Sequence, residues 1–224
     1  MRTEVRAAVS RIRRPQPVVF DVGANLGNWS QSLLEAVPSA RLFLFEPSPG
    51  CQAAIRQKAL PGIKLFPFAL GEKAESRSYY SSSDTDGSAS LYDRRDTPFK
   101  DLSYDRRTVD VRTLDEVIES EGIEFVDYVK MDIEGHELFA LRGAARALAA
   151  GKIGALSFEF GCGNINSRTF FRDFWDLLTA SNFAIYRIKP QGRDVLLKDY
   201  YEDAEYFQGS TNFVAELQKQ PAAS

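Results

Sequence analysis

Val18-Val19-Phe20-Asp21-Val22-Gly23-Ala24-Asn25-Leu26-Gly27 decides how the rest of the chain is read. A β-branched and aromatic run stops at an acid and a glycine-containing turn, as a strand does where it hands the chain to a helix. The spacing predicts that helix over about 29–37, ended by Pro38. Ala40 to Phe45 reads as a second strand closing on Glu46-Pro47-Ser48, Ser48 to Leu60 as a helix, and Ile63 to Leu70 as a third strand. Short apolar runs alternating with amphipathic stretches are the pattern of a mostly parallel sheet covered by helices on both faces.

Farther along, Arg77 to Ser82 and Thr108 to Arg112 read as strands, and Ser81 to Ser88 is rich in turn formers. The latter is either a linker or a lid over a site, and its length favours the lid. A short helix near 115–120 precedes the strong strand Phe125 to Met131, which ends on Asp132-Ile133-Glu134-Gly135. Glu137 to Ala149 reads as one helix with Leu138, Leu141, Ala145 and Leu148 on a shared face. Ala155 to Phe160 is the next strand, Arg168 to Thr179 a helix, and Phe183 to Ile188 with Thr211 to Leu217 a closing strand pair. The division expected is a basic lead-in over 1–17, one domain over 18–217 and a tail over 218–224.

The chain has 224 residues and a formal net charge of −3. That size suits one well-buried domain, and the charge gives no long-range attraction to phosphate backbones, so nucleic acid is not the expected partner. Cys51 and Cys162 lie in no metal-binding pair, which suits a cytoplasmic location. No apolar run is long enough to span a bilayer. The arginine-bearing lead-in reads as a solvated helix or as a flap beside the site. A homodimer is carried as an expectation.

The loop 21–27 lies where an open parallel sheet binds ligands, beyond the carboxyl end of a strand near the switch point. Glu46 ends the next strand, where a carboxylate can accept both hydroxyl protons of a ribose. A dinucleotide-binding fold makes similar demands, but its fingerprint places glycine where this chain has Asn25. Asp21, two residues before Gly23, would sit awkwardly beside a pyrophosphate. It suits a ligand carrying an ammonium and a sulfonium.

A second cluster, Val129 to Glu137, holds three carboxylates and the chain's one histidine. It lies at a strand end on the rim shared with Gly23 and Glu46. A charge there must be paired or face a cleft. Asp132 is the expected general base, worth about 10²–10⁴ in rate, with Glu134 and His136 as further catalytic candidates. Asp132 and Glu134 are also candidate ligands for Mg²⁺ or Mn²⁺. Glu134 and Glu137 would in any case favour a helix N-terminus. Glu159, in an otherwise apolar strand, either faces the cleft or pairs with Lys130.

These segments together resemble the FkbM-type methyltransferases, a branch of the class I S-adenosylmethionine-dependent enzymes. The matching stretches are FDVGANLGNWS (20–30), FLFEPSP (43–49), FPFALGE (66–72), GSASL (87–91), VDVRTLDEV (109–117), YVKMDIEGHELFALRGA (128–144) and LSFEF (156–160). The K-x-D-x-E-G-x-E string followed by L-x-G-A carries most of the specificity. The resemblance implies a doubly wound, Rossmann-like α/β fold whose seven-stranded sheet ends in an antiparallel strand. It implies S-adenosyl-L-methionine as cofactor, with Asp21 near the methionine amino group, Gly23, Asn25 and Gly27 lining it, Glu46 on the ribose, and Ala69 and Leu70 bordering adenine. It also implies O-methylation of a sugar, glycan or polyketide-type hydroxyl, with alignment contributing roughly 7–11 kcal/mol. Asn164, Asn166 and Arg168 are then candidate contacts to a sugar, and Phe170, Phe171 and Trp175 to an aromatic acceptor, though their helical spacing reads more simply as core. The alternatives are a non-catalytic binding domain of the same fold and an NAD-dependent oxidoreductase.

Overall fold

In the computed structural model, which describes residues 3–93, 103–206 and 209–218, the chain forms one large sheet and one small one. The strands are β1 (Val18–Val22), β2 (Arg41–Phe45), β3 (Ile63–Phe66), β4 (Ala69–Leu70), β5 (Glu75–Ser81), β6 (Asp105–Arg112), β7 (Val126–Met131), β8 (Ile153–Gly161), β9 (Phe183–Arg187), β10 (Val195–Leu196) and β11 (Ser210–Leu217). The helices are α1 (Thr3–Val9), α2 (Asn28–Ala36), α3 (Pro49–Gln57), α4 (Leu114–Ser120), α5 (Glu137–Arg142), α6 (Ala145–Ala149), α7 (Gly163–Ser167) and α8 (Phe171–Ala180). The main sheet runs β10-β9-β11-β8-β7-β1-β2-β3, and β4, β6 and β5 make the small one. Strands β8, β7, β1, β2 and β3 are mutually parallel, while β11 runs antiparallel between β8 and β9. The main sheet thus has eight strands rather than seven, because the two-residue β10 adds an edge to β9.

Alternation along the buried strands divides two cores. Phe20, Val22, Phe45, Val129 and Phe158 face α4, α5, α6 and α8, whereas Val19, Leu44, Tyr128 and Val214 face α1, α2 and α3. The lead-in is therefore not solvated: Val5, Ala7 and Ala8 of α1 are buried, and Arg6 and Arg11 both pair with Asp194. Two expected elements are divided. The run 63–70 splits at Pro67, so Ile63–Phe66 stays in the main sheet and Ala69–Leu70 pairs with β6, since proline cannot donate to a ladder. The helix expected over 137–149 breaks after Arg142, and the carboxylate of Asp115 on α4 accepts the N–H groups of Arg146 and Ala147 to start α6 afresh. The helix expected from Arg168 begins at Phe171, Arg168 itself being left-handed at φ 56°.

Because β2 and β7 flank β1 on opposite sides, the chain reverses its winding at β1. The carboxyl ends of β1, β2 and β7 therefore open one crevice at this switch point.

Candidate active site

Gly23, Asn25, Glu46, Ala69, Leu70, Asp132, Glu134 and His136 line one cavity at that crevice, together with Tyr79 and residues of the segment 86–91. Its floor is the first loop. Gly23 has φ 78°, and a Cβ there would lie 1.9 Å from the carbonyl oxygen of Asp132. Only glycine lets the ends of β1 and β7 come this close. The loop is fixed from below by Lys130, whose ammonium lies 2.8 Å from the Gly23 carbonyl, 3.1 Å from Asp21 Oδ1 and 3.8 Å from Asp132 Oδ2. Burial opposes charge on Lys130, yet Asp21 and Asp132 outweigh it and hold the ammonium protonated well above the usual range. Asp21 is fully buried and also accepts from Ser30 Oγ at 2.6 Å.

Asp21 is held within the scaffold by Lys130 and Ser30 and is not among the residues lining this cavity. Gly27 is not among them either, since it packs against the side chain of Ile55. Lys130 acts where Glu159 was one candidate for its partner; Asp21 takes that place because β1 and β7 pair Asp21 with Lys130 in register. Glu159, opposite Asn212 on β11, is pushed up to about 7 by burial and by Asp132 and Glu134 nearby.

Glu46 is buried, and each carboxylate oxygen accepts one backbone N–H at 2.8 Å, from Asn25 and from Ser48. Burial raises its pKa in spite of those bonds. Each oxygen keeps a second lone pair, so the carboxylate can take two vicinal hydroxyls from a ligand. Asp132 stands across the cavity with its side chain 43% exposed, open to a reacting group. Among the described residues no three His, Cys, Asp or Glu side chains converge to hold a metal. The neighbouring Lys130 ammonium makes the Asp132–Glu134 pair a poor seat for Mg²⁺ or Mn²⁺.

His136 is buried, with Nδ1 2.7 Å from the Tyr92 hydroxyl and its ring stacked 4.9 Å from Phe139. Burial, and then the charge of Arg77, push it down to about 3. A ring so held is neutral at pH 7 and a weak base.

The segment 82–92 closes the cavity as a lid. The Asp86 carboxylate accepts the N–H and hydroxyl groups of Ser82 and of Ser88, and these bonds outweigh burial to keep it below its usual pKa. One flank is fastened to α3, where Ser48 Oγ donates to the Asp84 carbonyl at 2.6 Å. The other is fastened to the second loop, where Ser90 Oγ donates to the Glu134 carbonyl at 3.0 Å. Tyr79, Lys130 and Tyr92 escaped the site reading of the sequence; the lysine alone carried a signal, as the first residue of the K-x-D-x-E-G string. Asn164 is buried, accepting from Gly161 N at 2.8 Å and donating to Thr169 Oγ1 at 2.9 Å, and with Arg168 and Phe170 it lines a second cavity apart from the first. Phe171 is core and Trp175 packs against it, whereas Phe170 is exposed.

Comparison with known proteins agrees with this site. The sequence pattern of the Methyltransferase FkbM domain matches residues 21–185. The chain is 31% identical over 163 residues to the 2-O-methyltransferase NoeI of Sinorhizobium fredii, covering 64% of this chain and 63% of that protein. It is 24% identical over 155 residues to the methyltransferase sdnD of Sordaria araneosa, covering 57% and 60%. The chain therefore spans less than two thirds of the length of each of these relatives. Among solved structures, a possible exported protein from Bordetella parapertussis shares the fold with a TM-score of 0.50 at 12% identity, over 96% of this chain and 66% of that one. The crevice at β1, the glycine loop, the buried acid ending β2 and the matched span together place this chain in the FkbM methyltransferase family.

Proposed function

We propose that this chain is an S-adenosyl-L-methionine-dependent O-methyltransferase acting on a hydroxyl of a sugar, glycan or polyketide-type small molecule. The observation that carries the reading is the pairing of Glu46 with the half-exposed Asp132 across one cavity at the switch point. The donor set fits the cofactor: Glu46 offers two lone pairs to a ribose diol, and Pro47, Ala69 and Leu70 give an apolar wall for the base. Bound there, the cofactor supplies an electrophilic methyl group on a sulfonium. Asp132 takes the acceptor's hydroxyl proton, Lys130 holds Asp132 and the Gly23 loop in place, and the lid 82–92 keeps water out. Oxygen as the accepting atom is supported by a relative named as a 2-O-methyltransferase. The formal net charge of −3 favours a small acceptor over nucleic acid.

The test is transfer of a labelled methyl group to a panel of glycan and natural-product hydroxyls. Turnover of at least one acceptor is expected, with Asp132→Asn lowering kcat about 10²–10⁴-fold while cofactor affinity changes little. No turnover across the panel, or an undiminished Asp132→Asn, contradicts the reading.

A further inference from the structure

Resting on the methyltransferase reading above, we infer that the second cavity, at the carboxyl end of β8, is an acceptor subsite that takes an apolar arm bearing an oxyanion. The cavity has a volume of about 500 Å³ and is walled by Phe160, Ile165 and Phe170, with Arg168 and Glu205 beside them. That size is ordinary for a small-molecule site. Strand β8 runs parallel to β7, so Gly161 and Asp132 lie on one rim of the sheet, the rim where an open parallel sheet binds ligands. The two cavities are neighbours on that rim. A Cβ on Gly135 would be 2.3 Å from the Gly163 carbonyl oxygen, and one on Gly163 would be 2.8 Å from the Glu134 carbonyl carbon. Glu134 lines the first cavity, and Asn164, the residue after Gly163, lines the second. One backbone contact separates them, so an acceptor with its hydroxyl at Asp132 can extend across it.

The wall chemistry names the arm. Ile165 and Phe170 line the cavity yet are 67% and 63% exposed. Two large apolar side chains left open beside a cavity mark a surface that a ligand covers. Three of the polar groups there are already committed. The Asn164 amide donates to the Thr169 hydroxyl at 2.9 Å. The Glu205 carboxylate accepts the N–H groups of Phe171 and Arg172 and the Tyr200 hydroxyl, at 2.7, 2.9 and 2.7 Å. Arg168 differs. It is exposed, and among the described residues no ion pair or hydrogen bond engages its guanidinium. Its backbone is fixed at φ 56°, with Arg168 N on the Ile165 carbonyl at 3.3 Å and Thr169 N on the Asn164 carbonyl at 3.1 Å. A guanidinium donates in a planar fork that suits a carboxylate or a phosphate. The arm is accordingly apolar with an oxyanion at its side, a narrower class than hydroxyl-bearing small molecules at large.

The experiment is calorimetric titration with three probes below their micellar concentrations. Two carry an oxyanion, n-octyl β-D-glucuronide and n-octyl phosphate, and the third, n-octyl β-D-glucoside, is neutral. Wild type is compared with Phe170→Ser and Arg168→Asn, with circular dichroism confirming the fold. Serine suits the N-cap place that Phe170 holds on α8, and asparagine tolerates a left-handed backbone, so both variants should fold. Wild type is expected to bind at least one oxyanion probe about fivefold more tightly than the glucoside. Arg168→Asn should erase that preference, and Phe170→Ser should weaken all three probes about tenfold. With an acceptor that the enzyme turns over, the preferred probe should compete against the acceptor and not the cofactor, and Phe170→Ser should raise the acceptor's KM more than it lowers kcat. Equal binding of the three probes by wild type, unchanged affinities in Phe170→Ser, or inhibition that does not compete with the acceptor overturns the assignment and leaves methyl transfer standing. Self-association of wild type that Phe170→Ser abolishes, without probe binding, also overturns it and makes this face a subunit contact. Absence of turnover across the acceptor panel overturns the methyltransferase reading, and this assignment with it.

Discussion

Replacing Lys130 with methionine should cost far more than the loss of one side chain from a surface. Its ammonium is buried and holds three oxygens: Gly23 at 2.8 Å, Asp21 Oδ1 at 3.1 Å and Asp132 Oδ2 at 3.8 Å. Methionine fills a similar volume but leaves the fully buried Asp21 carboxylate with Ser30 Oγ as its remaining side-chain donor. Breaking a buried pair from one side costs about 3–5 kcal/mol. At about 2–4 °C per kcal/mol for a domain of this size, Tm should fall by about 6–20 °C in thermal unfolding followed by circular dichroism. The double variant Asp21→Asn with Lys130→Met removes the stranded charge and should regain most of that loss. The single variant's deficit should also narrow on acidification, because protonation discharges the stranded carboxylate. A Lys130→Met protein within about 1 kcal/mol of wild type at pH 7, or a double variant no better than the single, would refute the reasoning.

Two further outcomes follow from the same loops. Gly23→Ala should destabilise by more than the ~1–2 kcal/mol of an ordinary left-handed residue, since its Cβ would meet the Asp132 carbonyl at 1.9 Å; urea unfolding measures it, and an unchanged midpoint contradicts it. Glu137 is buried, accepts from Ile133 N at 2.8 Å, and is pushed by burial up to about 8. Its folded-state pKa lies above the unfolded value, so its contribution is full below about pH 4.5 and is lost as pH rises towards about 8, by up to about 1.4 kcal/mol per unit. Glu137→Gln should flatten that decline in unfolding measured from pH 5 to 8; parallel curves for the two proteins would contradict the assignment.

Much of this arrangement is legible in the sequence because it is written locally. The apolar runs of β1, β2, β7 and β8 and the acids that end them place Glu46 and Asp132 on one rim without knowledge of any contact. What escaped depends on pairing between distant segments. Nothing near Asp21 reveals that Lys130, 109 residues on, is registered against it. The break between α5 and α6 is made by Asp115 from another helix, a cap that periodicity within 137–149 cannot show. The burial of Asn164 is not legible either, because its two partners, Gly161 N and Thr169 Oγ1, are brought to it only by the turn after β8. Residue type alone makes His136 a candidate base; its stacking on Phe139 comes from α5, and only its contact with Tyr92 comes from the lid's return path.

The central claim is that the cavity between Glu46 and Asp132 holds an adenosyl sulfonium cofactor. Calorimetric titration of the purified chain with S-adenosylhomocysteine, with NAD as comparison and Glu46→Ala as control, tests it most directly. The account predicts one-to-one binding of S-adenosylhomocysteine, a clear preference over NAD, and loss of binding in Glu46→Ala. Absence of binding, a preference for NAD, or full affinity in the Glu46→Ala variant would contradict it.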